Sequence, residues 1–198
     1  MIIANSGPII SFARADCLYL LKETVKELII PNAVFEDIVV KGRGKPGAEE
    51  VKEADWIKRK EAKDKNRVEK LAERLGEGES EAIVLAQELD AILLIDDSKA
   101  RKEAERSGVE CIGTLRILKE AKEMGLIERV KPILDRLRDS GLRIKNDLYF
   151  LFLESVGEFY CGKNEYVINN RRERPKMGAI RKNTRYELYC VLPCRCHS

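Results

Sequence analysis

Histidine is almost missing from this chain: of 198 residues, only His197 is one. A Ser-His-Asp triad, a histidine-bound zinc hydrolase centre and a histidine general base all need that ring inside a fold. Chemistry in the body of the chain must therefore come from carboxylates, lysine, serine or threonine. Carboxylates suit hard cations such as Mg²⁺ or Mn²⁺. Long apolar runs are missing too. The longest candidate, 148–153, is far below the ~18 residues of a membrane span, so no membrane partner is expected. The opening MIIANSGPII has no basic stretch ahead of an apolar one and no cleavage site. That predicts no signal peptide and a cytoplasmic protein. Glutamine occurs once, at Gln87, while charged residues make up 36%. Few thermolabile amides among many mixed charges is a hyperthermophile composition. With 44% hydrophobic residues disorder is excluded as the dominant state, though not for an extension, and the length predicts one domain, at most with an appendage.

What is present is unevenly spread. Residues 159–198 carry nine Lys/Arg against three Asp/Glu, four of the six cysteines and four of the eight asparagines. Residues 1–158 carry the remaining 28 cations against 31 acids. This predicts a domain over 1–158 followed by a basic, cysteine-containing extension over 159–198. In the body, short apolar runs at 2–4, 28–30, 92–95 and 109–112 read as buried strands. Amphipathic helical patterns lie between and after them: from Ser6, from Asn32, and over 78–89, 98–107, 114–124, 130–139 and 145–154. Such alternation predicts an α/β fold with a mostly parallel sheet. The charge-dense stretch 41–75 reads as a solvated helical insertion with loops.

The acids can be placed on this frame. At about 100° per residue, Ala82, Ile83, Leu85, Ala86 and Leu89 share one apolar face. Glu77 falls opposite, Glu81 at the flank, and Glu79 inside the apolar stripe. An acid there is costly unless paired or bound to a metal. In PNAVFEDIV, Val34, Phe35 and Ile38 form the inner face, Glu36 points away, and Asp37 sits nearer the edge. Asp96 and Asp97 follow the strand at 92–95, and Asn5 follows the strand at 2–4. Ligands of open α/β sheets bind beyond such strand ends. Asn and Asp are equally common as helix N-caps, which is the plain alternative for each. Carboxylates forced together raise one another's pKa unless a divalent cation compensates.

The segments IIANSGPIISFARADCLYLL, IIPNAVFEDI, LGEGESEAIVLAQEL and AILLIDDSKARKEAERSGVECIGTLRILKEAKEMGLI, in that order and spacing, resemble PIN-domain proteins. The resemblance covers about residues 1–156 and is nearest to an uncharacterised, largely archaeal, VapC-like branch. It implies a three-layer PIN-like sandwich, a mostly parallel sheet flanked by helices. It further implies a Mg²⁺- or Mn²⁺-dependent ribonuclease in which Asn5, Asp37, Glu79 and Asp97 occupy the four metal-holding positions, with Asp96 beside the last. Asp37, Glu79 and Asp97 would be the catalytic acids. Ser6, Lys99, Arg101 and Lys102 would meet nucleic acid. Two departures stand out: Asn5 replaces the usual Asp, and Asp37 is one methylene shorter than the usual Glu.

VapC-like proteins also imply RNA as substrate, a small antitoxin as partner and a homodimer. A PIN-fold module that binds RNA or protein without cutting is the alternative, and Asn5 is the feature that raises it. A receiver-like phospho-acceptor is a weaker one, since its acid pair should follow the first strand. In the extension, Cys190, Cys194, Cys196 and His197 are zinc-type ligands, but their spacing does not match a standard site.

Overall fold

Four of the five strands are runs of two to four largely apolar residues, the pattern of strands covered on both faces. A computed structural model describes residues 1–158 of the chain. The expected extension over 159–198, its boundary and its zinc-type residues lie outside the described residues. Five strands, β1 (Ile2–Ala4), β2 (Leu28–Pro31), β3 (Ile57–Lys60), β4 (Ile92–Leu94) and β5 (Cys111–Ile112), pair in the order β3-β2-β1-β4-β5. Every pair is parallel, with Ile3 opposite Ile29 on one side and Leu93 on the other. Ten α-helices are present among the described residues. They are α1 (Ser6–Arg14), α2 (Leu18–Thr24), α3 (Asn32–Phe35), α4 (Ala48–Glu53) and α5 (Lys65–Ala72), then α6 (Glu77–Glu88), α7 (Ser98–Arg106), α8 (Thr114–Glu123), α9 (Lys131–Asp139) and α10 (Asn146–Ser155).

Because side chains alternate along a strand, the sheet feeds two cores. Ile3, Ile29, Leu93 and Ile95 pack with Ile83, Leu85, Ala100 and Ala104 from α6 and α7. Ala4, Leu28, Ile30 and Leu94 pack with Phe12, Leu20, Ile117, Leu134 and Phe152 from α1, α2, α8, α9 and α10. The result is the expected three-layer α/β/α sandwich. None of the described helices is long and apolar enough to cross a membrane.

One element departs from expectation. The stretch 41–75 was expected as helices and loops, yet it contains β3, with the sequence IKRK. Only Ile57 of that strand is buried, and the next three residues are exposed. An edge strand blunts its open side with charge, so it lacks the alternation that marks a half-buried strand.

The pattern beginning at Asn32 is also more than one helix. After α3 the backbone widens into a π-turn over Glu36–Val40, a form found mostly as single turns at functional sites. Gly42 closes it: a Cβ there would lie 2.1 Å from the Ile38 carbonyl oxygen, so no other residue fits without moving backbone.

The described chain ends on an anchor. The buried carboxylate of Glu158 accepts hydrogen bonds from Lys122 Nζ at 2.6 Å, Val130 N at 2.7 Å and Lys131 N at 2.8 Å. Burial pushes this carboxyl up, but the Lys122 ammonium and the two backbone N–H groups outweigh it and hold it below its ordinary value. A carboxyl depressed in the folded state stabilises fully above its unfolded pKa of about 4.3. That contribution is lost as pH falls through the lower folded value. Glu158→Gln should therefore lower stability at pH 7 by on the order of 1–2 kcal/mol, or about 2–8 °C in melting temperature. In thermal melts the gap to wild type should narrow at pH 3. An equal gap at both pH values would refute the assignment.

Candidate metal and nucleic-acid site

In an open α/β sheet the ligand crevice lies where strand order reverses. Here the chain runs outward from β1 to β2 and β3, then returns to place β4 on the other side of β1. The switch point is the β1/β4 seam. Asn5 stands there, buried, its backbone N–H donating to the Leu94 carbonyl at 3.1 Å. The residues after β4 are Ile95, Asp96 and Asp97. Sheet topology thus brings Asn5 beside the Asp96–Asp97 turn.

Each of these side chains also holds local structure. Asn5 is the N-cap of α1, its Oδ1 accepting from Ser6 N at 2.8 Å, with Ser6 Oγ at 3.5 Å. Asp97 caps α7, one oxygen accepting from both Lys99 N at 2.9 Å and Ala100 N at 2.8 Å. Asp96 turns towards β5 and fastens the start of α8. Its two oxygens accept from Thr114 N at 2.8 Å and Thr114 Oγ1 at 2.6 Å. Thr114 is a partner that sequence reasoning did not single out.

Asp37 approaches the start of α6 from another direction. A Cβ on Gly78 would lie 3.0 Å from Asp37 Oδ2, so the π-turn sets this carboxylate against the first turn of α6. Glu36 is exposed, as its helical position predicts. Asp37 Oδ1 pairs with Lys41 Nζ at 2.7 Å. The Asp37 carboxylate hydrogen bond, with Glu77 and Glu36 adding, holds the Lys41 ammonium above its ordinary value. A lysine pair this exposed contributes little, so it is weak competition for a divalent cation.

Glu79 differs from expectation. It is half-buried at the third helical position of α6, and its Oε2 accepts from Gly76 N at 3.1 Å as a helix-capping acid does. The acid that faces inward is Glu81, expected only at the flank. It is 4% exposed and accepts from Ala33 N at 2.9 Å and Ala62 N at 3.2 Å, with Lys65 Nζ at 3.7 Å. Those donors come from α3 and from the chain after β3, so no local pattern announces them.

The expected cationic contacts divide. Arg101 donates to the carbonyls of Cys111 at 3.0 Å and Ile95 at 2.8 Å. It clamps the ends of β4 and β5, and its guanidinium is engaged by backbone rather than open to a phosphate. Lys99 Nζ donates to the Arg74 carbonyl. Lys102 is exposed on the same helix.

The donor set suits a hard divalent ion in chemistry: three carboxylates and an amide oxygen. Asp37, Glu79 and Asp97 each use a single oxygen for their cap or ion pair, and among the described residues the second accepts no hydrogen bond. Among the described residues, no group of three or more His, Cys, Asp or Glu is gathered closely enough to hold a metal ion. The structure brings Asn5 to the Asp96–Asp97 turn and Asp37 to the start of α6, and it gathers no three acids at one point.

A family model described as a PIN domain matches residues 1–158. No curated protein matches the chain. Among solved structures, the chain is similar to a PilT N-terminus domain protein from the hyperthermophilic archaeon Sulfolobus solfataricus. The identity is 18% and the TM-score 0.40, over 74% of this chain and 98% of that one.

Proposed function

The chain belongs to the PIN domain family, and from that premise we propose that it is a Mg²⁺- or Mn²⁺-dependent endoribonuclease acting on single-stranded RNA. PIN domains are typically nucleases and generally depend on a divalent metal. The observation that carries the reading is the β1/β4 seam, where Asn5 and the Asp96–Asp97 turn meet at the reversal of strand order.

Asp37, Glu79 and Asp97 would hold the cation, with Asn5 contributing its amide oxygen and Asp96 beside them. Such an ion supplies charge neutralisation at a phosphodiester and activation of water. The protein's part is to position oxygens. Asp97, fixed as the cap of α7, offers its second oxygen beyond the end of β4. Glu79 keeps one oxygen clear of its bond to Gly76 N, and the π-turn sets Asp37 against Gly78 in the same first turn of α6. Asn5 adds no charge, so affinity for the ion is lower than with four acids. The same reading makes the chain the toxin of a toxin–antitoxin pair, with a small antitoxin and a second copy as protein partners. Among the described residues, exposed Leu148, Phe150 and Leu151 on α10 offer one apolar surface for such contacts.

Single-stranded RNA incubated with Mn²⁺ or Mg²⁺ should be cut slowly, and EDTA should abolish the cut. Asn5→Asp should raise metal affinity, read by calorimetry, and raise or hold the cleavage rate. Asp caps a helix about as well as Asn, so α1 should be unaffected. If the wild type binds no metal at millimolar concentration and Asn5→Asp gains none, the chain is instead a PIN-fold module that binds without cutting.

A further inference from the structure

A second surface, outside the acid constellation, is strongly cationic. A cavity of about 350 Å³ opens between the turn after α5 and one face of α7. Arg74 and Leu75 form one wall, and Ser98, Lys99, Lys102, Glu103 and Arg106 form the other. Four cations thus face one carboxylate, and Arg106 already pairs with that carboxylate at 3.3 Å. The helix dictates the arrangement. Residues 99, 102, 103 and 106 fall at i, i+3, i+4 and i+7, one face of α7, while Ala100 and Ala104 on the other face are buried in the core. Lys99 ties the two walls together through its bond to the Arg74 carbonyl. The cleft begins at Ser98, the residue after Asp97.

We propose that this cleft is a backbone track for single-stranded RNA, holding phosphates that flank the bond presented at the β1/β4 seam. It rests on the RNA reading above but adds residues, Arg74 and Arg106, that the motifs did not mark, and it removes Arg101 from the contact set. The track lies along α7 and spans Lys99 to Arg106, about 10 Å at 1.5 Å per residue. That length and the excess of positive charge along it match a chain of phosphates rather than one small ligand. Contacts of this kind position the strand without reading its sequence.

The test is binding in EDTA, so that cleavage plays no part. Anisotropy of a labelled oligouridine is measured against salt for the wild type, for Arg74→Ala/Lys102→Ala, and for Lys22→Ala on α2 in the opposite layer. Each phosphate contact on a single strand contributes about 0.7 to the salt slope. The double variant should lose about 1.4 of slope, and the wild type should lose about sevenfold more affinity than the variant between 50 and 200 mM salt. The Lys22 variant should stay near the wild type. A double variant that tracks the Lys22 control would overturn the assignment. Equal displacement of the RNA by polyglutamate at matched charge would also overturn it, in favour of an acidic peptide. A chain that binds with this slope but never cuts keeps the track and loses the nuclease. A chain that cuts while the double variant binds unchanged does the reverse.

Discussion

Glu79→Gln and Asp97→Asn should each cut RNA cleavage at least about 100-fold, since even changes one shell out from a metal commonly cost 10–100-fold. These two substitutions separate charge from architecture. Gln at position 79 still accepts from Gly76 N as the third residue of a capping box does. Asn at position 97 still accepts from Lys99 N and Ala100 N, because Asn and Asp are near-equal N-caps. Circular dichroism and melting temperature should therefore barely move while metal affinity and turnover collapse. Unchanged cleavage in both variants would show that these acids are caps and nothing more. The same logic makes Glu36→Gln a useful control, since Glu36 is exposed on the far side of the π-turn.

The largest loss of stability should come from Glu81→Ala. This carboxylate is 4% exposed and accepts from Ala33 N and Ala62 N, two backbone groups from separate segments. Removing it leaves both donors without an acceptor at about 1–3 kcal/mol each. The total is on the order of 3–5 kcal/mol, a large share of the ~5–15 kcal/mol that holds a typical domain together. At 150–250 residues this is about 6–20 °C of melting temperature. Glu81→Gln should lose less, since one carbonyl oxygen remains to accept. A loss below about 1 kcal/mol for the alanine variant would mean that water or a backbone shift replaces the carboxylate. The consequence reaches the site, because Ala33 lies in α3, which leads directly into the turn carrying Asp37. Glu81 fastens α6, and with it Glu79, to the piece of chain that presents Asp37.

Glu81 also shows where sequence reasoning stops. The helix 78–89 and its apolar face were legible because a 3.6-residue period repeats over a dozen residues. So were the strands at 2–4 and 92–95, whose continuous apolar runs fit strands covered on both faces. The parallel sheet follows from their alternation with helices, and the three layers are what the PIN resemblance implies. The helical period sets Glu79 and Glu81 about 200° apart and puts Glu79 in the apolar stripe, yet the acid buried in the structure is Glu81. What decides between them is donors supplied by residues 33 and 62. β3 was hidden for the opposite reason: an edge strand with one buried residue carries almost no pattern. Arg101 looked like a free cation in SKARKEAER. Only the meeting of β4 and β5 creates the carbonyl pair that holds it. Asn5 was readable as both cap and ligand, and in the structure it is a cap standing at the seam.

The sheet order has a consequence for the moment of synthesis. Of the five strands of this sheet, the earliest in the sequence is the central one, and one of its two neighbours arrives about ninety residues later, with Ile2 pairing to Ile92. At roughly 5–20 residues per second, a ribosome needs on the order of ten seconds to deliver that partner. During that interval β1 can pair only with β2, and the seam beside Asn5 has one wall. A growing chain therefore emerges next to messenger RNA with its strand-reversal crevice still open. The crevice forms only after Asp96 and Asp97 have left the exit tunnel and β4 has docked. Late closure of a long-range parallel pair, slow by topology alone, delays the seam until Asp96 and Asp97 have been translated.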